Sequence, residues 1–301
     1  MDTYFLSEHF DHTDYVEQDE ELCKIAEHNF NVQSDNVRCT KVSVRNTSAE
    51  EFLKTAGTYD LIFIDPARRD AHGGKVFRLE DCTPNVVELL PTLLAHGKRL
   101  MIKLSPMLDL TQAIKNVQID DVQCTKVNWD VHVVAIKNEV KELLLVSGGS
   151  GKITAIDLAE PEKAFVFTRE EEQKVAISQV RPASAFSFLY EPNAAILKAG
   201  AYKLVAQRFG LQKLDVNTHL YSSGKLIKDF PGRVWKIKEP TPALPKGKEI
   251  RQANVIVRNY PLTAEQLKKK LHLKDGGDAY VIGCRVNGKP TLYTAERIET
   301  K

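Results

Sequence analysis

Residues 59–65 (YDLIFID), an almost unbroken apolar run, restrict the fold of this chain more than any other stretch. A run so short and so apolar fits a strand buried on both faces, and such a strand needs covering layers on either side of its sheet. The neighbouring segments supply them. Residues 4–10 read as the end of a helix and residues 14–17 as a strand. Asp19 caps an amphipathic helix that passes through residues 26–30, and residues 37–44 alternate as a strand does. Residues 48–55 read as a helix opened by Ser48 and Glu51 at capping-box spacing. Residues 83–96 make another, with Pro84 near its start, followed by a strand over 98–104 and a short helix over 108–116. Residues 131–137 and 141–146 then form a hairpin about Asn138-Glu139. Strands separated by helices predict βαβ units and a mostly parallel sheet, with an antiparallel hairpin at one edge.

The pattern changes at Gly148-Gly149-Ser150-Gly151, a turn and a candidate boundary. Residues 153–176 read as an irregular connector with an acidic run at 170–172. Residues 193–209 (NAAILKAGAYKLVAQRF) read as one helix ended by Gly210, and residues 214–235 hold two short strand-like pieces. Pro240, Pro242 and Pro245 make a stiff linker. The last part reads as a strand over 253–257, a helix over 263–271 capped by Thr263, and strands over 279–286 and 291–297 joined by an Asn287-Gly288 hairpin turn. Three parts follow: an α/β unit over 1–150, a connector with a further small segment over 151–238, and a small α+β domain over 239–301.

Charge is unevenly spread. The chain carries 42 Lys and Arg against 40 Asp and Glu, a formal net charge of +2. Residues 1–180 hold 20 basic and 30 acidic side chains, and residues 181–301 hold 22 and 10. A swing of that size suggests different partners for the two halves, with the basic half suited to a polyanion. The five cysteines are Cys23, Cys39, Cys82, Cys124 and Cys284. They are scattered and odd in number, which disfavours a disulfide framework and fits a reducing, cytoplasmic setting. The opening residues carry Asp2, Glu8 and His9 without a basic stretch, unlike a signal peptide, and no apolar run is long enough to span a membrane. Histidine spacing offers no metal motif. Serine-hydrolase and P-loop signatures are lacking as well.

The candidate site residues lie where strands end. Glu17 closes the strand at 14–17. In doubly wound folds a carboxylate there accepts hydrogen bonds from ribose hydroxyls, because two oxygens match a vicinal diol. A glycine-rich turn ordinarily precedes that strand by about 20 residues. The sequence given begins too late to hold one, so the expected sheet lacks its first strand and glycine loop, with Asp2 just beyond their place. Asp65-Pro66 turns the chain directly after the buried strand, at the carboxyl edge where open α/β sheets bind ligands. Asp65 can accept hydrogen bonds from an amine, and Arg68 and Arg69 can grip phosphates bidentately. Lys103, in KLSP, should face Asp65 across that edge, to orient a substrate carbonyl or phosphate or simply as a snorkelling edge lysine. Thr47 and Ser48 are placed to meet an adenine edge, though helix capping explains Ser48 equally well. Lys268, Lys269 and Lys270 end a helix whose dipole they complement, and they are the candidate polyanion contacts of the C-terminal part. Tyr260, Tyr280 and Tyr293 are either base-stacking or core residues.

The order YVEQ (15–18), YDLIFIDPARRD (59–70), RLMIKLSP (99–106), VHVVAIKNEVKELLLV (131–146) and VRPASAFSFLYEPNAAILKAGAYKLVAQRFGL (180–211) resembles a bacterial family of class I S-adenosylmethionine-dependent methyltransferases with a THUMP-like C-terminal domain. The resemblance implies a Rossmann-like catalytic domain, a ferredoxin-like segment and a terminal THUMP-like domain. It implies S-adenosylmethionine as cofactor, held by Asp2, Glu17, Thr47 and Ser48. Asp65 and Pro66 become the catalytic corner, and RNA, tRNA first, the substrate met by Arg68, Arg69, Lys103 and Lys268–Lys270. The IDPAR and KLSP layout also looks like that of RNA uracil-C5 methyltransferases. Those carry a cysteine where Ser105 stands, and a serine hydroxyl is scarcely ionised at neutral pH. Transfer to a base nitrogen is the expected chemistry. The alternatives are an RNA-binding protein with a degraded cofactor site, or a methyltransferase of protein or small molecules.

Overall fold

The structure is a computed structural model that describes residues 2–33, 41–67, 79–118, 127–176, 186–239 and 251–299. They divide into two compact units, one of residues 1–103 and 107–126, the other of residues 104–106 and 127–301.

The first unit alternates helix and strand: α1 (Asp2–Ser7), β1 (His12–Glu17), α2 (Glu20–Gln33), β2 (Lys41–Asn46), α3 (Ala49–Thr55), β3 (Ile62–Ile64), α4 (Val86–His96), β4 (Leu100–Leu104) and α5 (Leu110–Val117). Local chemistry sets the helix starts, because the first turn of a helix leaves backbone N–H groups without partners. Asp19 Oδ1 accepts from Glu21 N and Leu22 N, Ser48 from Glu51 N, Asn85 from Val87 N and Asp109 from Gln112 N. β1 and β2 are parallel, in register from His12–Lys41 to Glu17–Asn46. β3 and β4 are also parallel, pairing Ile62 with Leu100, Phe63 with Met101 and Ile64 with Ile102. Along β4 burial alternates, with Leu100 and Ile102 inaccessible. Val86, Leu90 and Leu93 of α4 and Ala113 and Val117 of α5 are buried too. The strand expected over 59–65 is shorter than the apolar run. Tyr59 instead bridges the chain beside Gly97, its N–H donating to His96 O at 2.8 Å and its carbonyl accepting from Lys98 N at 2.8 Å. Residues 37–40 of the expected strand at 37–44 lie outside the described residues.

The second unit contains two sheets. β5 (Trp129–Ile136), β6 (Glu139–Ser147), β7 (Lys152–Asp157) and β8 (Phe165–Thr168) join in the order β6-β5-β7-β8, with β5–β6 antiparallel and β5–β7 parallel. The hairpin turn falls one residue earlier than expected. It lies on Lys137 and Asn138, both at positive φ, as a two-residue turn requires. Two aspartates brace this sheet: Asp157 accepts from Lys137 N and Asn138 N, and Asp130 from Ser150 N and Lys152 N. Residues 153–176 are therefore no irregular connector. They supply β7, β8 and α6 (Arg169–Lys174), which opens with a Thr168–Glu171 capping box, and the first of these sheets continues past residue 150.

The other sheet gathers β9 (Phe188–Pro192), β10 (Gln212–Asp215), β11 (Thr218–Ser223), β12 (Gly232–Glu239), β13 (Asn254–Arg258), β14 (Ala279–Val286) and β15 (Lys289–Ile298) in the order β10-β11-β9-β12-β15-β14-β13. It curls until its two ends meet: Asn287 N donates to Leu214 O, and Thr218 Oγ1 to Arg285 O. Leu189, Leu214, Leu220, Trp235, Ile237, Ile282, Cys284, Tyr293 and Ala295 fill the interior. The helix expected over 193–209 is two, α7 (Ala194–Ala199) and α8 (Leu204–Arg208). Gly200 separates them in the left-handed conformation, at φ 84°, as a helix-ending glycine does. α9 (Ala264–Lys270) packs on β13 and opens with a Thr263–Gln266 capping box.

Gly232 lets β12 lie close against β9. A Cβ there would sit 2.1 Å from the carbonyl oxygen of Glu191 and 2.9 Å from Asn193 N, both backbone atoms that cannot yield cheaply. Gly232→Ala is expected to destabilise the protein by roughly 2–3 kcal/mol. Differential scanning calorimetry should show a fall of roughly 3–5 °C in the midpoint.

Candidate functional site

Register brings the first group of candidates together. Continuing the β3–β4 pairing by one step sets residue 65 opposite residue 103. There the Lys103 ammonium lies 2.6 Å from Asp65 Oδ2 and 2.5 Å from Asp2 Oδ2, in the first turn of α1. Its ammonium stands 5.9 Å from the centre of the Phe63 ring, and the side chain is 19% exposed against 50% for Asp65. Burial works against the Lys103 charge, but hydrogen bonds to Asp2 and Asp65 outweigh it and hold the ammonium above its ordinary pKa. Asp65 Oδ1 has no hydrogen-bond partner among the described residues. Pro66 is buried, and Ala67 is fixed by paired backbone bonds to Thr83 of 2.7 and 3.0 Å. The corner is thus rigid behind an exposed carboxylate.

A second group sits at the carboxyl ends of β1 and β2. Glu17 Oε1 accepts from Asp19 N at 2.9 Å, and Oε2 has no partner among the described residues. Asn46, opposite Glu17, donates to Glu17 O and Gln18 O, each at 3.1 Å. Thr47 N donates to Glu17 O, and Ser48 Oγ is engaged as the cap of α3. Helix capping therefore accounts for Ser48.

Toward the start of β1 lies a bracket that the sequence reading missed. Asp14, in β1, accepts from Tyr59 Oη at 2.8 Å and from Arg45 Nε at 2.9 Å. The signal was present, since Arg45 lies two residues beyond Ser43, the cross-strand neighbour of Asp14, and therefore on the same face. Burial alone would raise the Asp14 carboxyl, but the Tyr59 hydroxyl and the Arg45 guanidinium hold it below the usual range. The Tyr59 hydroxyl is pushed up to about 12 by burial and by Asp14.

The other candidates are placed as follows. Arg68 and Arg69 lie outside the described residues. Ser105 is buried. Lys268 is paired with Asp275 at 2.5 Å, whereas Lys269 and Lys270 are exposed. Tyr293 belongs to the core of the curled sheet, with Tyr280 packed against it. Glu191, in the YEPNAAILKAG stretch, is a buried carboxylate that pairs with Arg258 and, at 3.7 Å, with Arg233. Its role is to tie β9 to β12 and β13. Among the described residues, no group of side chains is arranged to hold a metal ion and no helix is long and apolar enough to cross a membrane.

Residues 188–231 match a ferredoxin-like domain family and residues 232–297 a THUMP domain-like family. A candidate methyltransferase of Porphyromonas gingivalis W83, known from its crystal structure, is 31% identical with a TM-score of 0.81, covering 96% of this chain and 72% of its own. Two uncharacterized S-adenosylmethionine-dependent methyltransferases of Mycobacterium tuberculosis, from strains H37Rv and CDC 1551, are each 22% identical over 238 residues, which is 75% of this chain. The matched region spans 60% of the length of these curated relatives.

Because Asp14 has a lowered pKa when folded, its contribution to stability is complete above the unfolded value of about 3.9 and is lost as pH falls toward the folded one. Wild type should therefore exceed Asp14→Asn in urea midpoint at about pH 5, and the gap should narrow as pH falls below that unfolded value. A gap independent of pH would contradict this assignment.

Proposed function

This chain belongs to the bacterial class I S-adenosylmethionine-dependent methyltransferases with a THUMP-like C-terminal domain, and on that footing we propose that it transfers a methyl group to a base nitrogen of RNA, tRNA first. The observation that carries the reading is the Asp65-Pro66 corner, where a rigid turn presents a half-exposed carboxylate oxygen at the end of a parallel strand pair. Such an acceptor suits an exocyclic amine or a ring N–H of a base.

The residues at the ends of β1 and β2 fit S-adenosylmethionine. Glu17 keeps one carboxylate oxygen for a ribose hydroxyl, and Thr47 adjoins it. When bound, the cofactor supplies a methyl group on a positively charged sulfur, open to attack by a nitrogen lone pair. The chain contributes position: Asp65 Oδ1 accepts the substrate N–H, Pro66 fixes the turn, and Glu17 holds the ribose. Orientation of two reactants accounts for much of the rate in a transfer of this kind. Tyr59, ahead of β3, reaches Asp14 near the start of β1, which supports a common carboxyl edge for Glu17 and Asp65. β1 and β3 each leave one edge without a ladder partner among the described residues. That supports a Rossmann-like sheet lacking a strand between them.

RNA is the proposed partner because the THUMP-like segment lies in the basic part of the sequence and exposes Lys269 and Lys270. The α/β part, the ferredoxin-like segment and the THUMP-like domain would work as catalyst, spacer and RNA holder in a reducing, cytoplasmic setting.

Incubation of the full protein with labelled S-adenosylmethionine and bulk tRNA should put label into RNA, and Asp65→Asn should lower kcat by roughly 10²-fold. Salt-sensitive RNA binding without transfer would favour the RNA-binding alternative instead. Lys269→Ala and Lys270→Ala should each weaken tRNA binding and reduce the slope of log K against log salt by about 1.

A further inference from the structure

We infer that Lys103 is a positioning residue that aims Asp65, and that Asp2 is the anchor of Lys103 rather than a cofactor ligand. This rests on the methyl-transfer reading above. A phosphate-gripping lysine needs a free ammonium, and this one already meets two carboxylates at 2.5 and 2.6 Å. Its ammonium stands over the Phe63 ring and its side chain is mostly covered, so the ammonium has little freedom to swing outward. A carboxylate on a strand end can rotate, which would blur the direction of its lone pairs. Held by Lys103 at Oδ2, Asp65 presents Oδ1 alone. Asp2 takes a second of the three ammonium donors and keeps the lysine in place when a ligand N–H competes for Asp65. Two carboxylates and one ammonium also leave the cluster one negative charge, which suits a hydrogen-bond donor and repels a phosphate.

The test is steady-state kinetics of methyl transfer by the full protein, with KM for the methyl donor and for RNA measured separately. Lys103→Met keeps the length of the stem and removes every donor. It should lower kcat on the order of 10²-fold with little change in either KM. Lys103→Arg, which can still reach both carboxylates, should recover most of the loss. Asp2→Asn leaves the Lys103–Asp65 pair standing and covers the case in which Lys103→Met fails to fold. It should lower kcat several-fold while KM for the methyl donor stays as in wild type. A raised KM for the methyl donor at unchanged kcat in Asp2→Asn would overturn the anchor role, and wild-type kcat in Lys103→Met would overturn the aiming role. Absence of transfer by wild type would overturn the underlying reading and this inference with it.

Discussion

Everything proposed for the site depends on one register, the parallel pairing of β3 with β4 that ends with Asp65 beside Lys103. Parallel strands place side chains of equal register on the same face, so an acid ending one strand and a lysine near the end of the next must meet. Leu100 and Ile102, inaccessible on the other face of β4, fix that register through burial, with the half-buried Ile62 to Ile64 paired beside them. A slip of one residue would turn Lys103 toward the core. The same hydrophobic pattern that builds the sheet therefore also aims the polar corner.

The strand-end geometry was legible in the sequence because its signals are local: an apolar run, an aspartate-proline turn and a lysine at matching depth. Helix starts were legible for the same reason, with Asp19, Ser48 and Thr263 each followed by the backbone N–H groups they bind. What escaped depends on distant partners. β7 pairs in parallel with β5, and nothing within residues 152–157 announces that partner. The helix over 193–209 was divided by Gly200, whose left-handed conformation satisfies the last carbonyls of α7. Asp2 could be placed near the cofactor by its position in the chain, but its bond to Lys103 spans 101 residues and has no local signature.

The C-terminal half shows how a small domain gains a core. The ferredoxin-like and THUMP-like segments share one curled seven-stranded sheet, and strands of both line its interior. Glu191 fastens them, a buried carboxylate from one segment set against arginines from the other. Removing the arginines would leave the buried Glu191 carboxylate uncompensated, which is costly, so this contact helps hold the two segments together. The exposed Lys269 and Lys270 are carried on the helix packed against this sheet.

The most direct test of the central claim is a crystal structure of the full protein with S-adenosylhomocysteine. The account predicts the ribose hydroxyls on Glu17 and the thioether sulfur facing the Asp65-Pro66 corner, with Lys103 still bound to Asp65 Oδ2. A ligand bound away from both carboxylates, or Glu17 and Asp65 opening onto separate surfaces, would contradict it.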